Sequence, residues 1–260
     1  MENLRIYGDS PFRAAVIHGG PGSPGNMAPV AQELSRDFGI IEPLQTAASL
    51  EGQVQELRGV VEKNAVLPLT LIGSSWGAML SYIFSAYYPA LVRKCILVGS
   101  GVYDDVYASR IQETRLSRLS EGDRQEALAL LSTIDDPDHT EKDKSFYRLG
   151  MLFSVADAYD PLPYDDEVIE AQFHIFQRVW GDAAQLRSSG KLLELGRQIQ
   201  CPVVAIHGDY DPHPAEGIQR PLSTVLKSFK FVLLKNCGHL PWIERSARDQ
   251  FFRILKEALK

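Results

Sequence analysis

Leu67-Pro68-Leu69-Thr70-Leu71-Ile72-Gly73-Ser74-Ser75-Trp76-Gly77 is the stretch on which the fold is decided. Residues 67–73 are a short apolar run of the kind that makes a buried strand. Residues 76–88 then read as an apolar-striped helix halted by Pro89. At the junction the pattern G-x-S-x-G fits one register only. Ser75 has Gly73 and Gly77 on either side, whereas Ser74 faces Ile72 and Trp76. A serine on a sharp strand-to-helix turn needs small residues there, because the backbone must bend tightly to lift the hydroxyl clear. The strand before and the helix after make the match specific.

A serine hydroxyl is a poor nucleophile until a base takes its proton and an acid orients that base. Both residue types follow at strand ends. Residues 201–208 are an apolar run ending beside Asp209 and Asp211, and residues 229–236 lead to Gly238 and His239. Serine, aspartate and histidine thus occur in that order.

Further strand-like runs lie at 13–19, 38–44 and 94–101, with helical patterns at 29–36, 50–63 and 245–260. This alternation implies an α/β fold, with βα units on a mostly parallel sheet flanked by helices. The N-terminus leaves room for one short strand before Arg13. Residues 104–189 break the alternation, with helical periodicity at 113–134 and 167–182 and no convincing strand. The expected organisation is a core of residues 1–103 and 190–260, with a helical cap of residues 104–189 inserted after the sixth strand.

A chain of 260 residues can bury a substantial core without disulfides. Its 27 basic and 33 acidic side chains give a net charge of −6, spread along the chain. That spread offers no electrostatic grip on nucleic acid or an anionic membrane. Hydrophobic residues at 45% and charged residues at 23% exclude disorder as an overall description. Residues 1–12 lack a basic-then-apolar pattern, so no signal segment is expected, and no apolar run approaches about 18 residues. Cys95, Cys201 and Cys237 are widely spaced, with no CxxC pair, so neither a zinc ribbon nor a thioredoxin-type site is expected. The expectation is a soluble cytoplasmic protein with reduced thiols.

The G-x-S-x-G turn with Asp and His downstream resembles the α/β-hydrolase superfamily, over nearly the whole chain. The resemblance implies acyl transfer by Ser75, with His239 as base and no metal or organic cofactor. It nominates Asp211, the fourth residue of Gly208-Asp209-Tyr210-Asp211, as the acid, with Asp209 as fallback. It also implies an oxyanion hole built from the Trp76 amide and an amide of the loop His18-Gly19-Gly20-Pro21-Gly22. Gly20 is the donor by resemblance, with Gly19 or Gly22 as displaced alternatives; Pro21 has no N–H to give. Serine at the turn, in place of a carboxylate nucleophile, argues against haloalkane dehalogenase or epoxide hydrolase chemistry. His-Gly-Gly-Pro-Gly with G-x-S-W-G further resembles the proline iminopeptidase branch. The chain departs from that branch at Glu42-Pro43-Leu44-Gln45-Thr46, where an Asp-Gln-Arg-Gly-type stretch is usual. Its cap also offers only Trp180, followed by Gly181 and Asp182, where that branch holds tryptophans and glutamates. The expected substrate is a small-molecule ester or amide or a short peptide, and the aromatics Phe153, Phe176 and Trp180 are candidates to line its pocket.

Other residues have plainer readings. His18 is expected to brace the Gly19–Gly22 loop, His207 to end a core strand, and His213 to be a surface histidine, with a place at the border of the pocket as its alternative. Cys237 reads as a small core thiol. The acidic runs Asp135-Asp136-Pro137-Asp138 and Asp165-Asp166-Glu167 read as solvated loops, with recognition of a substrate ammonium as the alternative. Gly20 to Gly25 also fits G-x-G-x-x-G, with Glu42 at about the distance of a ribose-binding acid. However, Pro21 and Pro24 remove amides that a pyrophosphate needs, which disfavours a dinucleotide site. A non-catalytic protein binding a small ligand on the same fold is the other alternative.

Overall fold

Seven strands among the described residues form one sheet: β1 (Leu4–Tyr7), β2 (Phe12–Ile17), β3 (Gly39–Pro43), β4 (Leu69–Ser74), β5 (Val92–Val98), β6 (Val203–Gly208) and β7 (Phe229–Leu234). Their order is β1-β3-β2-β4-β5-β6-β7. β1 runs antiparallel to β3 and every other pairing is parallel. This computed structural model describes residues 3–164, 169 and 171–260, so the acidic run at Asp165, Asp166 and Glu167 lies outside the described residues. β3 and β4 are buried at every position, because helices cover both faces of a parallel sheet and an inner strand has no wet side. The helices are α1 (Ala28–Leu34), α2 (Leu50–Asn64), α3 (Trp76–Tyr87), α4 (Ile111–Arg118), α5 (Glu121–Asp135), α6 (Lys142–Asp157), α7 (Phe173–Ser188), α8 (Lys191–Glu194), α9 (Glu216–Val225) and α10 (Arg248–Leu259).

The arrangement is a mostly parallel α/β sheet flanked by helices, as expected, but the strand count differs. The helical segment α4–α7 follows the fifth strand, not the sixth. β1 is the one short strand expected before Arg13, and among the described residues five strands precede the helical segment. The periodic stretch 113–134 is also two helices rather than one. Leu119 closes the first and Ser120 caps the second, its hydroxyl accepting from the Asp123 N–H at 3.2 Å.

Strand order reverses at β2, whose neighbours are β3 on one side and β4 on the other. The loops leaving β2 and β4 therefore part in opposite directions, opening the crevice where sheets of this kind receive ligands. Close backbone packing holds that crevice in shape. α3 approaches the ends of β2 and β4 so nearly that a Cβ at Gly77 would overlap the Ile17 and His18 carbonyls. A Cβ at Gly73 would overlap the Gly77 carbonyl. These are the two glycines that flank Ser75.

Gly73→Ala is expected to destabilise the fold by about 3 kcal/mol or more, because backbone rather than a flexible side chain must give way. Gly59→Ala, at an exposed helical site with nothing within 4 Å of the added methyl, is expected to gain up to about 1 kcal/mol. Urea unfolding of both variants checks the contrast.

Candidate active site

Ser75 sits at the head of α3 with φ 53° and ψ −114°. A non-glycine residue rarely adopts such a conformation, and the packed glycines on either side hold it there. Its N–H donates to the Val98 carbonyl of β5 at 2.9 Å, and its hydroxyl makes no cap for α3. The side chain is thus left for other work. Gly19 packs on it from the β2 loop, where an added Cβ would stand 3.2 Å from Ser75 Cβ.

The loops after β6 and β7 are joined backbone to backbone. Asp209 N–H donates to the Leu234 carbonyl and Tyr210 N–H to the Cys237 carbonyl, each at 2.9 Å. Asp209 turns outward to the Cys237 N–H and to Lys235, while Asp211 turns inward. His239 Nδ1–H donates to Asp211 Oδ2 at 2.7 Å. The side chain of Asp211 is wholly buried. Of the two aspartates, Asp211 is therefore the one that meets His239. The His239 ring also packs on the end of β5, where a Cβ on Gly99 would lie 3.2 Å from its Nδ1.

His213 departs from expectation. It is buried, not on the surface, and its Nδ1–H donates to Asp211 Oδ1 at 2.7 Å. Its own backbone N–H reaches the same oxygen at 2.9 Å, and its ring stacks on His239 with centroids 4.9 Å apart. His207 lies behind, donating Nε2–H to the His213 carbonyl at 2.8 Å. Burial alone would raise the Asp211 carboxyl, but the surrounding histidines outweigh it and hold the group well below its ordinary range. Burial pushes both imidazoles toward the neutral form. At His239 the Asp211 charge and hydrogen bond prevail and raise its pKa; at His213 they do not, and it is lowered. The facing nitrogen and oxygen atoms of Asp211, His213 and His239 lie close together. At 2.7 Å each histidine–aspartate pair is a direct hydrogen bond, with the imidazole nitrogen as donor and the carboxylate as acceptor.

The loop after β2 is braced at both ends. His18 Nδ1–H donates to the Gly19 carbonyl at 2.8 Å, and His18 Nε2 accepts the Gln45 N–H at 3.2 Å. The Gly19 N–H is taken by Asn26 Oδ1 at 2.9 Å. That removes Gly19 as a free donor and leaves Gly20, held at φ 50°, next in line. The Trp76 N–H, at the first turn of α3, has no acceptor within the helix. Its indole donates instead to Gln53 Oε1 at 2.8 Å. Glu42, the acid of the dinucleotide alternative, is buried in β3 and accepts from the Tyr7 hydroxyl at 2.8 Å, facing β1.

The helical segment lies over these loops. Gln172 N–H donates to the Gly22 carbonyl at 2.8 Å and Ile169 N–H to the Pro24 carbonyl at 3.0 Å. Trp180 meets Trp76 edge-on at 6.3 Å and stacks on Phe176 at 6.2 Å. Phe153 stands apart from that pair, under the Arg115 guanidinium at 5.2 Å. Arg115 pairs with Asp157 through two hydrogen bonds of 2.8 and 2.6 Å, and the Asp157 carbonyl accepts the His239 N–H at 2.9 Å. Buried Glu244 takes the N–H groups of Gly238, Tyr159 and Asp160 at 2.8–2.9 Å. Asn26, Asp157 and Glu244 were not apparent from the sequence, because each acts through backbone brought near only by the fold. Cys237 is a buried thiol pushed up by burial, in keeping with a core role. Among the described residues no helix is long and apolar enough to cross a membrane.

The Alpha/beta hydrolase family matches residues 16–254. Proline iminopeptidase of Lactobacillus helveticus (strain DPC 4571) is 23% identical over 297 residues, covering 98% of this chain and 92% of that one. Among solved structures, VinJ superimposes with a TM-score of 0.67 at 18% identity, covering 99% of this chain and 95% of that chain. Proline iminopeptidase of Mycobacterium smegmatis gives 0.63 at 16% identity, with 98% and 93% covered. At these identities the structural likeness concerns the fold.

His18 yields a pH prediction. Burial lowers its pKa from 6.5 to about 4, so the folded chain keeps it neutral where the unfolded chain takes up a proton. Its share of stability is present above 6.5 and lost as the pH falls from there toward 4, up to about 3 kcal/mol. Denaturant midpoints near about pH 7.5 and about pH 4.5 should therefore differ less in His18→Gln than in the wild type. Equal differences would contradict this assignment.

Proposed function

We propose that this chain, which belongs to the alpha/beta hydrolase family, is a serine hydrolase cleaving a small-molecule ester or amide through an acyl-enzyme. The main support is the His239–Asp211 hydrogen bond of 2.7 Å on a wholly buried carboxylate. Ser75, held in a strained turn, follows β4 at the same end of the parallel sheet.

In this scheme His239 Nε2 takes the Ser75 hydroxyl proton as Oγ attacks the substrate carbonyl carbon. The carbonyl electron pair moves onto oxygen, where the Trp76 and Gly20 N–H groups receive it. Asp211 keeps the imidazolium oriented and favours its charge. Collapse of the tetrahedral intermediate breaks the bond to the leaving group, which departs with the His239 proton. Water then attacks the acyl-enzyme, with His239 again as base, to release the acid and restore Ser75. The chain's own groups and water suffice for each step. Residues 104–189 serve as a cap over the core of residues 1–103 and 190–260. Trp180 and Phe176 line the acyl side, and Phe153 stands further back. The three free cysteines suit a cytoplasmic setting.

A second reading is proline iminopeptidase activity, favoured by the curated relative's near-full coverage of the chain. That activity requires a cap carboxylate for the substrate amine. Several described ones are engaged elsewhere: Asp182 with the Leu50 N–H, Asp143 with the Phe173 N–H and Asp157 with Arg115. The ester reading is therefore preferred.

Hydrolysis of a short-chain aryl ester and a prolyl arylamide, by wild type and Ser75→Ala in parallel, tests both. The expected result is ester turnover that falls by roughly 10⁴-fold or more in the variant. Preferential prolyl turnover, equally lost in the variant, would select the aminopeptidase. Ester turnover that survives Ser75→Ala would refute the scheme.

A further inference from the structure

We propose that His213 is a positioning residue of this site: a second imidazole on the Asp211 carboxylate that fixes its orientation and limits how strongly it holds a proton on His239. The proposal rests on the hydrolase reading above, because it concerns the acid of that triad.

A carboxylate only accepts hydrogen bonds, so an imidazole nitrogen at 2.7 Å must be donating. Asp211 therefore serves one imidazole on each oxygen, His213 at Oδ1 and His239 at Oδ2. The His213 backbone N–H adds a second donor on Oδ1. Two donors from one residue hold that oxygen in place, which stops the carboxylate from turning and leaves Oδ2 aimed at His239. His213 is itself held firmly. It lies between Pro212 and Pro214, which fix the backbone on either side, and its carbonyl is bound by His207 Nε2.

The same contacts have an electrostatic consequence. Charge drawn toward His213 is charge that Asp211 cannot offer to His239. The two rings stack 4.9 Å apart in a buried setting, so a cation on one opposes a cation on the other. The other groups facing this cluster are His207 at the end of β6, Arg115 on α4, Asp157 on α6 and Cys237 in the loop after β7. The Arg115–Asp157 pair is internally neutral, so the local balance is set mainly by the one carboxylate and its imidazoles. As His239 takes the serine proton, a neutral His213 keeps its hydrogen bond to Asp211 without adding charge. Its depressed pKa fits that role.

Two substitutions separate the parts. His213→Phe keeps a flat ring in the stack and loses the donor. His213→Asn loses the ring but keeps an N–H donor near the position of Nδ1. Steady-state kinetics across pH are measured on the full chain, with an ester that the wild type hydrolyses. His213→Phe is expected to lose about tenfold or more in kcat with KM within about threefold. The acid limb of its kcat/KM profile should move up by about half a pH unit or more, since an unshared Asp211 holds the His239 proton more tightly. His213→Asn should recover most of kcat and return the limb toward the wild-type position.

An unmoved acid limb in folded His213→Phe, or an asparagine variant no better than phenylalanine, overturns the proposal. Should His213→Phe fail to fold, ¹⁵N-histidine NMR of the wild type provides the decision. The expected result is a neutral His213 carrying its proton on Nδ1 throughout the His239 titration; His213 gaining a proton first overturns it. Turnover that survives Ser75→Ala would instead mean that the hydrolase reading has failed, and the role of His213 with it.

Discussion

A carboxylate removed from water costs several kcal/mol unless its lone pairs are filled and its charge is matched. Asp211 is removed from water entirely, and the loops around it are arranged to meet that demand. Its own chain returns a donor from His213, β7 delivers His239, and β6 ends in His207. The His213 and His207 contacts are local to this loop, but the His239 contact forms only when β6 and β7 are in register and their loops are joined. The Gly208 backbone contact with Cys237 and Gly238 allows that approach, because a Cβ on Gly208 would overlap both carbonyls. Local satisfaction of one buried charge thus requires the right half of the sheet to be complete.

The left half meets a different constraint. Ser75 keeps an unfavourable backbone conformation because α3 is packed onto β2 and β4 with no side chains between them. The strain is confined to one residue, and the crevice at the strand-order reversal lies beside it. The helical segment closes onto this crevice from both sides. Gln172 and Ile169 bond to the β2 loop, while Arg118 reaches the acid loop through the Tyr210 carbonyl at 2.7 Å and its guanidinium covers the Tyr210 ring at 3.7 Å.

Much of this arrangement was legible in the sequence, for physical reasons that can be named. Buried parallel strands are nearly continuous apolar runs, so β4 and β6 stood out at once. The Ser75 turn was visible because its two glycines answer a local backbone requirement. Asp211 and His239 were nominated because they follow strand ends, where such a sheet presents its chemistry. His213 was not legible as part of the site, because the prolines and polar residues around it have the composition of a surface loop, whereas its ring lies against Asp211 and the His239 ring. Asp157 and Glu244 were invisible for a related reason, since each accepts backbone N–H groups more than eighty residues away, and Asn26 carries no local signal for the loop N–H it takes. The break between α4 and α5, by contrast, is marked locally by Ser120 and Asp123 within the periodic stretch 113–134.

The central claim is that Ser75 is a nucleophile made reactive by His239 and Asp211. Its most direct test is intact-protein mass spectrometry after treatment with a fluorophosphonate, followed by mapping of the modified residue. The account predicts one adduct per chain, on Ser75, forming far more slowly in His239→Ala and absent in Ser75→Ala. A folded wild type that takes up no adduct, or takes it up elsewhere, would contradict the account.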